Sequence, residues 1–526
     1  MALGVVRSEP WHMENSSLIA LHLSLAALIG ASAASAQTLP TTRLSVKEVR
    51  IGSLEGASRY AVSRDSNHFA ALLKKDGKFL VVRDQRSGKE YDWIISATLF
   101  FTPDSQHLAY LVQQDGKLFL VLDDVEGPRY HEILKSQYWM SLAGNRIACI
   151  ARRAAGGKPF MVVDGQEGRE FDDVGAVIFS ADGQHYAYPA ELDGRQLFVV
   201  DGAPTPSFDR IAPLSFAFSP DARRSAFIAM RTADKKAAIV ADGSVRQWAD
   251  EVGRPFFSPD GKRLAAAIRR GASSAVVLDD KELGDYERIV GDSIRFSPDS
   301  TRLAFAAARM RKTRDAEGRE QNVESFLYVL DGQELRDYES LGPFFFSPDS
   351  RRTAYIAIKN KRVVAVIDGS EGKYYEEIRQ PQFSPDSRRF VYLASREGRW
   401  YSVVDGSEGP AYSQVGNSIL FSPDSKRMVY VASRGARAFV VLNGAEGPSF
   451  SAVAWDTLAM SPDGRHIACA AARDQAPLLV VDDQELAAGA GPLVGSRLVF
   501  DSPDSLHALI VRGKDVLRLQ IDIGRP

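Results

Sequence analysis

The sequence predicts an all-β protein of tandem β-propellers: twelve four-stranded blades in total, arranged as two six-bladed rings. Three observations carry this. The phrase FSPDS stands at 296–300, 346–350, 383–387 and 421–425, with FSPDG at 257–261 and FSPDA at 218–222. The runs between these phrases are short and rich in Val, Ile, Phe and Tyr, with no helical period. A second phrase, Asp-Gly, recurs between them at 164–165, 201–202, 242–243, 331–332, 368–369 and 405–406.

The first forty residues stand apart from the rest. Leu18 to Gly30 is a mostly apolar run, too short to span a bilayer, followed by small residues at Ala34 and Ala36. Residues 1–36 therefore read as a secretory signal peptide, although Arg7 is the only basic residue near it. The mature chain is expected to be periplasmic or secreted, with no stable membrane span once the leader is removed. An uncleaved anchor or a different start are the alternatives.

The Asp of the SPD phrase serves as a ruler. It falls at Asp65, Asp104, Asp182, Asp221, Asp260, Asp299, Asp349, Asp386, Asp424, Asp463 and Asp504, with Ala143 in the equivalent place of MSLAGNRIA. A unit of about forty residues is the length of a propeller blade. In one copy, NSILF is the first strand and SPDS the turn; KRMVYVAS, AFVVL and PSFSAV follow as the second, third and fourth strands. Pro fits position i+1 of a type I turn, with Ser at i bonding back to the main chain. Asp-Gly supplies the positive φ of a tight hairpin. Both phrases thus read as hairpin corners, and most of their aspartates as structural.

Twelve blades exceed the usual four to eight of one ring. LSVKEVRI (44–51) stands alone before the first copy, and the last copy lacks a fourth strand. If 44–51 completes the sixth blade, whose third strand lies near 275–278, and 286–290 completes the twelfth, two rings close: 44–282 and 283–526. A 7+5 split, or one ring inserted in the other, are the alternatives.

The pattern F-S-P-D-[SG]-x-R-x-A-[FY] resembles the TolB-type propeller repeat, a relative of WD repeats in bacterial periplasmic proteins. The resemblance covers nearly the whole chain after residue 44. It implies a propeller, and the repeat serves many functions. The second phrase, V-V-D-G-x-E-G-P-x-Y, is more regular than in that family.

Lys plus Arg number 65 against 67 Asp plus Glu, for a formal net charge of −2. This gives no support to nucleic-acid binding. Locally, the loops between second and third strands are basic: Arg269 and Arg270, Lys359 and Lys361, and the insertion 309–322 with Arg309, Arg311, Lys312, Arg314 and Arg319, offset by Asp315, Glu317 and Glu320. These form the candidate binding face, for an envelope protein or an acidic glycan.

Five histidines share one phase at the start of the second strand: His68, His107, His185, His466 and His507, where other copies have Arg. They read as turn-flanking surface residues, too far apart to share a metal. The Glu of DGSEG and its relatives raises calcium, but about two carboxylates per turn are fewer than such a loop needs. Cys149 and Cys469 read as buried strand residues. There is no H-E-x-x-H and no G-x-S-x-G, and GASSA at 271–275 only approximates the latter.

The reading is an exported, non-catalytic scaffold that needs no cofactor or metal and binds through its loop faces. The alternative is an envelope enzyme, a glycan hydrolase or lyase, with its site in a propeller channel. A glycan-binding module with exposed aromatics at Tyr138, Trp139, Trp400 or Tyr401 is a third reading.

Overall fold

The computed structural model describes residues 43–314, 318–487 and 491–524. The expected leader, 1–36, lies outside the described residues, as do Asp315 and Glu317. The described chain folds as twelve consecutive antiparallel sheets, so the protein is a twelve-bladed β-propeller. Blades 1 to 6 span 57–87, 93–126, 132–170, 173–204, 210–245 and 251–286. Blades 7 to 11 span 288–338, 340–375, 377–408, 414–450 and 452–486, and blade 12 combines 499–524 with 43–53.

Second and third strands are buried on both faces; in blade 9 the second strand, Phe390–Arg396, has six successive buried residues. A sheet sandwiched between two neighbours has no polar face, so its central strands lose the usual alternation. First strands of consecutive blades touch one another, as 57–62 touches 100–101 and 340–346 touches 377–383. They converge on the axis, while fourth strands such as Gln166–Glu170 form an exposed rim. The SPD and Asp-Gly corners therefore share one face. The turns between second and third strands, and those entering each first strand, share the other.

Both corners form as the sequence predicts. Ser300 N–H donates to Ser297 O at 2.9 Å, closing the type I turn. Asp164 and Gly165 have φ of 50° and 77°, the pair of left-handed residues of a type I′ hairpin.

Ring closure differs from the expectation. Strand 43–53 pairs with 515–524 in blade 12, from Arg43 opposite Gly524 to Ser53 opposite Asp515. It does not join blade 6, whose fourth strand is 281–286, the segment directly after its third. Arg288–Ile289 instead opens blade 7, pairing with Ala307 and Ala308. A strand tethered by a two-residue turn closes at low entropy cost, so blade 6 takes its own neighbour in sequence. Only the last sheet has no following strand, and the first one fills it. Blades 6 and 7 pack through Ala265, Val276, Ile289 and Phe305. Blade 12 packs on blade 1 through Ile51, Phe69, Leu493, Leu509 and Val516. Packing between 281 and 290 resembles that at the other junctions.

The recurring phrases fasten each blade to the next. Arg302, at the phase of the histidines, donates from Nε to Asp331 of its own Asp-Gly corner at 2.8 Å. Its Nη1 reaches the Ser350 carbonyl in blade 8 at 3.3 Å, and its guanidinium lies 5.6 Å from the Phe346 ring centroid there. The last Ser of the four FSPDS corners also crosses: Ser350 Oγ accepts from the Asp299 N–H of blade 7 at 3.0 Å, and Ser300, Ser387 and Ser425 do likewise. Ser350 has a φ of 64°. For a residue with a side chain that conformation costs about 1–2 kcal/mol, which the inter-blade bond offsets.

His68, His185 and His466 take the Arg role, bonding Asp84, Asp201 and Asp482 at 2.6, 2.7 and 2.8 Å, and His107 bonds Asp123 likewise. They are straps within the corner face, not simply turn-flanking surface residues. His507 is fully buried at the seam between blades 12 and 1. Its Nδ1 meets the Asp501 carboxylate at 2.8 Å, and its Nε2 meets the Asp65 carbonyl at 2.7 Å.

The second phrase makes another strap. The last Tyr of one blade donates to the Glu of the next Asp-Gly-x-Glu corner: Tyr338 to Glu371 at 3.0 Å, and Tyr375 to Glu408 at 2.9 Å. Each of these tyrosines also meets, edge to face, the second-strand Tyr of the following blade, as Tyr375 meets Tyr392 at 6.0 Å. Those glutamates are committed to the fold.

Candidate functional site

Functional candidates are the side chains that these straps leave uncommitted. Most of the expected basic face is neutralised internally. Arg269 pairs with Glu251 and Arg270 with Glu282. Lys359 approaches Glu371 at 3.9 Å. The N–H of Lys361 donates to Glu339 at 3.3 Å, and its ammonium has no ion-pair partner among the described residues.

The insertion at 309–322 is not the loop that its hydrophilic sequence suggested. Strands 303–314 and 320–330 continue their ladder outward, from Ala304 opposite Leu330 to Arg314 opposite Glu320. The result is a two-stranded arm. Beyond Ala308 one strand loses its neighbour 288–289, and before Phe326 the other loses 333–338. Both outer edges of the arm are therefore free of a further strand among the described residues.

Side chains alternate between the arm's two faces. On one face Arg309 donates to Glu334 at 2.7 Å and to both oxygens of Asp337, at 2.9 and 3.0 Å. Arg311 also pairs with Asp337, whose side chain is only 5% exposed. Two guanidiniums around one buried carboxylate fix the base of the arm. The other face carries Met310, Lys312 and Arg314, opposite Glu324, Asn322 and Glu320. Glu324 is held by Arg288 at 2.6 Å. Lys312 and Arg314 have no ion-pair partner among the described residues, and Arg319 is exposed near the turn. Met310 is 50% exposed and Val323 39%.

A second uncommitted region is a cavity of about 450 Å³ between blades 10 and 11, lined by Asn417, Ser418, Val453, Trp455 and Asp456. None of these residues was singled out in the sequence, because nothing in one-dimensional order pairs 417 with 455. The four aromatics that a glycan-binding module would need exposed are packed against the core. Tyr138 donates to the Thr98 carbonyl at 2.6 Å, and Arg379 covers Trp400 at 4.4 Å from the ring centroid. Trp139 and Tyr401 are half-buried.

Cys149 and Cys469 are buried strand residues as expected, and burial pushes each thiol up to about 12. Among the described residues no group of three or more His, Cys, Asp or Glu side chains is placed to hold a metal ion.

The fold class is that of the β-propellers. The chain is similar in structure to a eukaryotic initiation factor, with 12% identity over 72% of this chain and 96% of the other, at a TM-score of 0.33. It is also similar to the β-propeller domain of the Trilobed protease from Pyrococcus furiosus, with 13% identity over 52% and 93% of the two chains, at 0.26. A third similarity is to the Dos1 propeller, with 10% identity over 75% and 94%, at 0.27. No family model matches the chain, and no curated protein matches it.

Proposed function

We propose that the protein is a non-catalytic propeller scaffold that binds an acidic protein partner outside the cytoplasm through the arm 309–325. The observation that carries this reading is the arm itself. It extends past its sheet with free strand edges, exposed Met310 and Val323, and the uncommitted cations Lys312 and Arg314. An extended ribbon with open N–H and C=O groups offers main-chain bonds to an added strand. Cations on its outer face select an acidic partner and speed its approach. The leader-like segment at 1–36 and the resemblance of the FSPD phrase to TolB-type repeats support an envelope setting.

The test is a pull-down from the envelope fraction with the whole protein and with a variant lacking 311–321. A specific acidic protein retained by the first and lost by the second supports the reading. Identical partner lists remove the arm from it. Recovery only of acidic glycan, released by salt from both forms, shifts the reading to a polyanion bound elsewhere on the hairpin face.

A further inference from the structure

The cavity between blades 10 and 11 is built where the first strands of both blades are interrupted. In blade 10 the first strand, Gln414–Phe421, bulges between Val415 and Ile419, pushing Gly416, Asn417 and Ser418 out of register. In blade 11 the chain enters through a single 3₁₀ turn at Trp455–Thr457. Thr457 Oγ1 fixes that turn, donating to the Ala454 carbonyl at 2.7 Å and accepting from the Ala470 N–H at 2.8 Å.

The same hydroxyl-fastened turn recurs at Thr98, Ser215 and Ser293, in blades 2, 5 and 7. The two residues before the hydroxyl there are Ser-Ala, Pro-Leu and Gly-Asp. The turn therefore folds without an aromatic, and Trp455-Asp456 is an addition that the scaffold does not require. Gly416 lies directly against it: a Cβ at that position would meet Trp455 Cγ at 3.4 Å, so the indole is in van der Waals reach of the bulge.

Around the partly buried indole, which packs on the Val431 and Val453 cluster and leaves its remaining face to the cavity, the side chains of Asn417, Ser418 and Asp456 form no hydrogen bond or ion pair among the described residues. This stands out on a surface where most charged groups are paired. An indole face offers an apolar platform with an N–H at its edge. Asn417 and Ser418 each both donate and accept, and Asp456 accepts through two oxygens. A flat apolar plate ringed by such groups matches a pyranose, whose C–H face is apolar and whose rim carries neighbouring hydroxyls. An unpaired carboxylate at the rim disfavours an anionic ligand. The volume, about 450 Å³, is that of a small-molecule site.

We infer that this cavity binds one sugar ring of an uncharged oligosaccharide, stacked on Trp455 and held by Asn417, Ser418 and Asp456. The inference is independent of the arm.

The test uses the whole protein with maltotriose, cellotriose, mannotriose and tri-N-acetylchitotriose. Binding is read by saturation-transfer NMR and by quenching of tryptophan fluorescence. At least one of the four is expected to bind saturably. Trp455→Ala should weaken it by roughly tenfold or more, as truncating a central aromatic anchor does. Asn417→Leu and Asp456→Leu alter exposed positions, so they keep the fold and should each weaken the same sugar. The variant lacking 311–321 should bind it unchanged. If none of the four binds, or if binding survives Trp455→Ala and both leucine variants, the inference is overturned.

Discussion

At the residue scale, the serine that ends each FSPDS corner holds a conformation unfavourable to it, and its hydroxyl reaches the neighbouring blade. Ser350→Ala keeps the left-handed φ and loses the bond from Asp299 N–H. It should lower unfolding stability by about 1–2 kcal/mol in urea titration. Ser350→Gly loses the same bond but removes the strain, so it should cost less than alanine does. The reverse order would show that the bond carries nothing.

The SPD aspartates add a pH dependence. The Ser297 hydroxyl and the Thr301 N–H hold the Asp299 carboxyl down at about 2, and the Ser hydroxyl is the leading cause of the same lowering at Asp182, Asp221, Asp260, Asp349, Asp386 and Asp424. Below the ordinary carboxylate value the unfolded chain takes up protons that the folded one refuses. The stabilisation is thus complete above about pH 4 and is lost as pH falls toward about 2. Melting temperature should be level near neutrality and fall steeply through that window. Ser297→Ala should lower it at pH 7, with the difference from the parent vanishing near pH 2. The role of Ser297 within its own turn was legible in the sequence, since its partner Asp299 is two residues away. The reach of Ser350 was not, because Asp299 lies a full blade earlier.

At the element scale, the arm and the straps show where one-dimensional reading loses information. A polar insertion of charged residues reads as a loop, yet its charges sit opposite one another in a continued ladder, Arg314 facing Glu320. Strand composition and turn chemistry were enough to place the first three strands of every blade, because those are specified within one forty-residue unit. The corner glutamates read as structural, but their Tyr partners, set by how one blade stacks on the next, are not visible in the sequence; His507 reads as a surface residue because its partner, the Asp65 carbonyl, lies across the seam. The base of the arm yields a prediction. Arg309→Met leaves the Asp337 carboxylate with Arg311 alone and should cost about 2 kcal/mol in denaturant titration. Removing 312–320, which keeps Arg309 and Arg311 on Asp337, and so joining the strands by a short turn should cost under about 1 kcal/mol, since the ladder beyond Arg311 has no neighbouring strand among the described residues. A large loss on that deletion would mean that the arm is part of the fold.

At the scale of the whole molecule, the sequence specified twelve blades and mistook how they close. An unattached strand fits any sheet that lacks a fourth member, and counting strands does not say which sheet that is. The choice falls to chain entropy: blade 6 has a ready neighbour and blade 12 has none. Deleting 43–53 exposes the edge of 515–524 and uncovers Leu517 and Leu519 beside it. The shortened protein should associate through that edge, seen as larger species in size-exclusion chromatography with light scattering. A monodisperse monomer with unchanged melting would mean that the first strand is dispensable. The two thiols supply a check on blade integrity: in the native state neither Cys149 nor Cys469 should react with a thiol reagent, and both should react once urea unfolds the chain.

Residues 43 and 524 lie side by side in one ladder, so the order of the blades can be cut at another corner. A short bridge of about four residues from Gly524 to Arg43 should allow the ribosome to start elsewhere, for example with new ends between Gly435 and Ala436, and still yield the same disc. It follows, too, that a chain made in the natural order stays open-mouthed until its final strand is released. Strand 43–53 waits for 515–524, and whatever holds the protein during synthesis must shield that strand throughout.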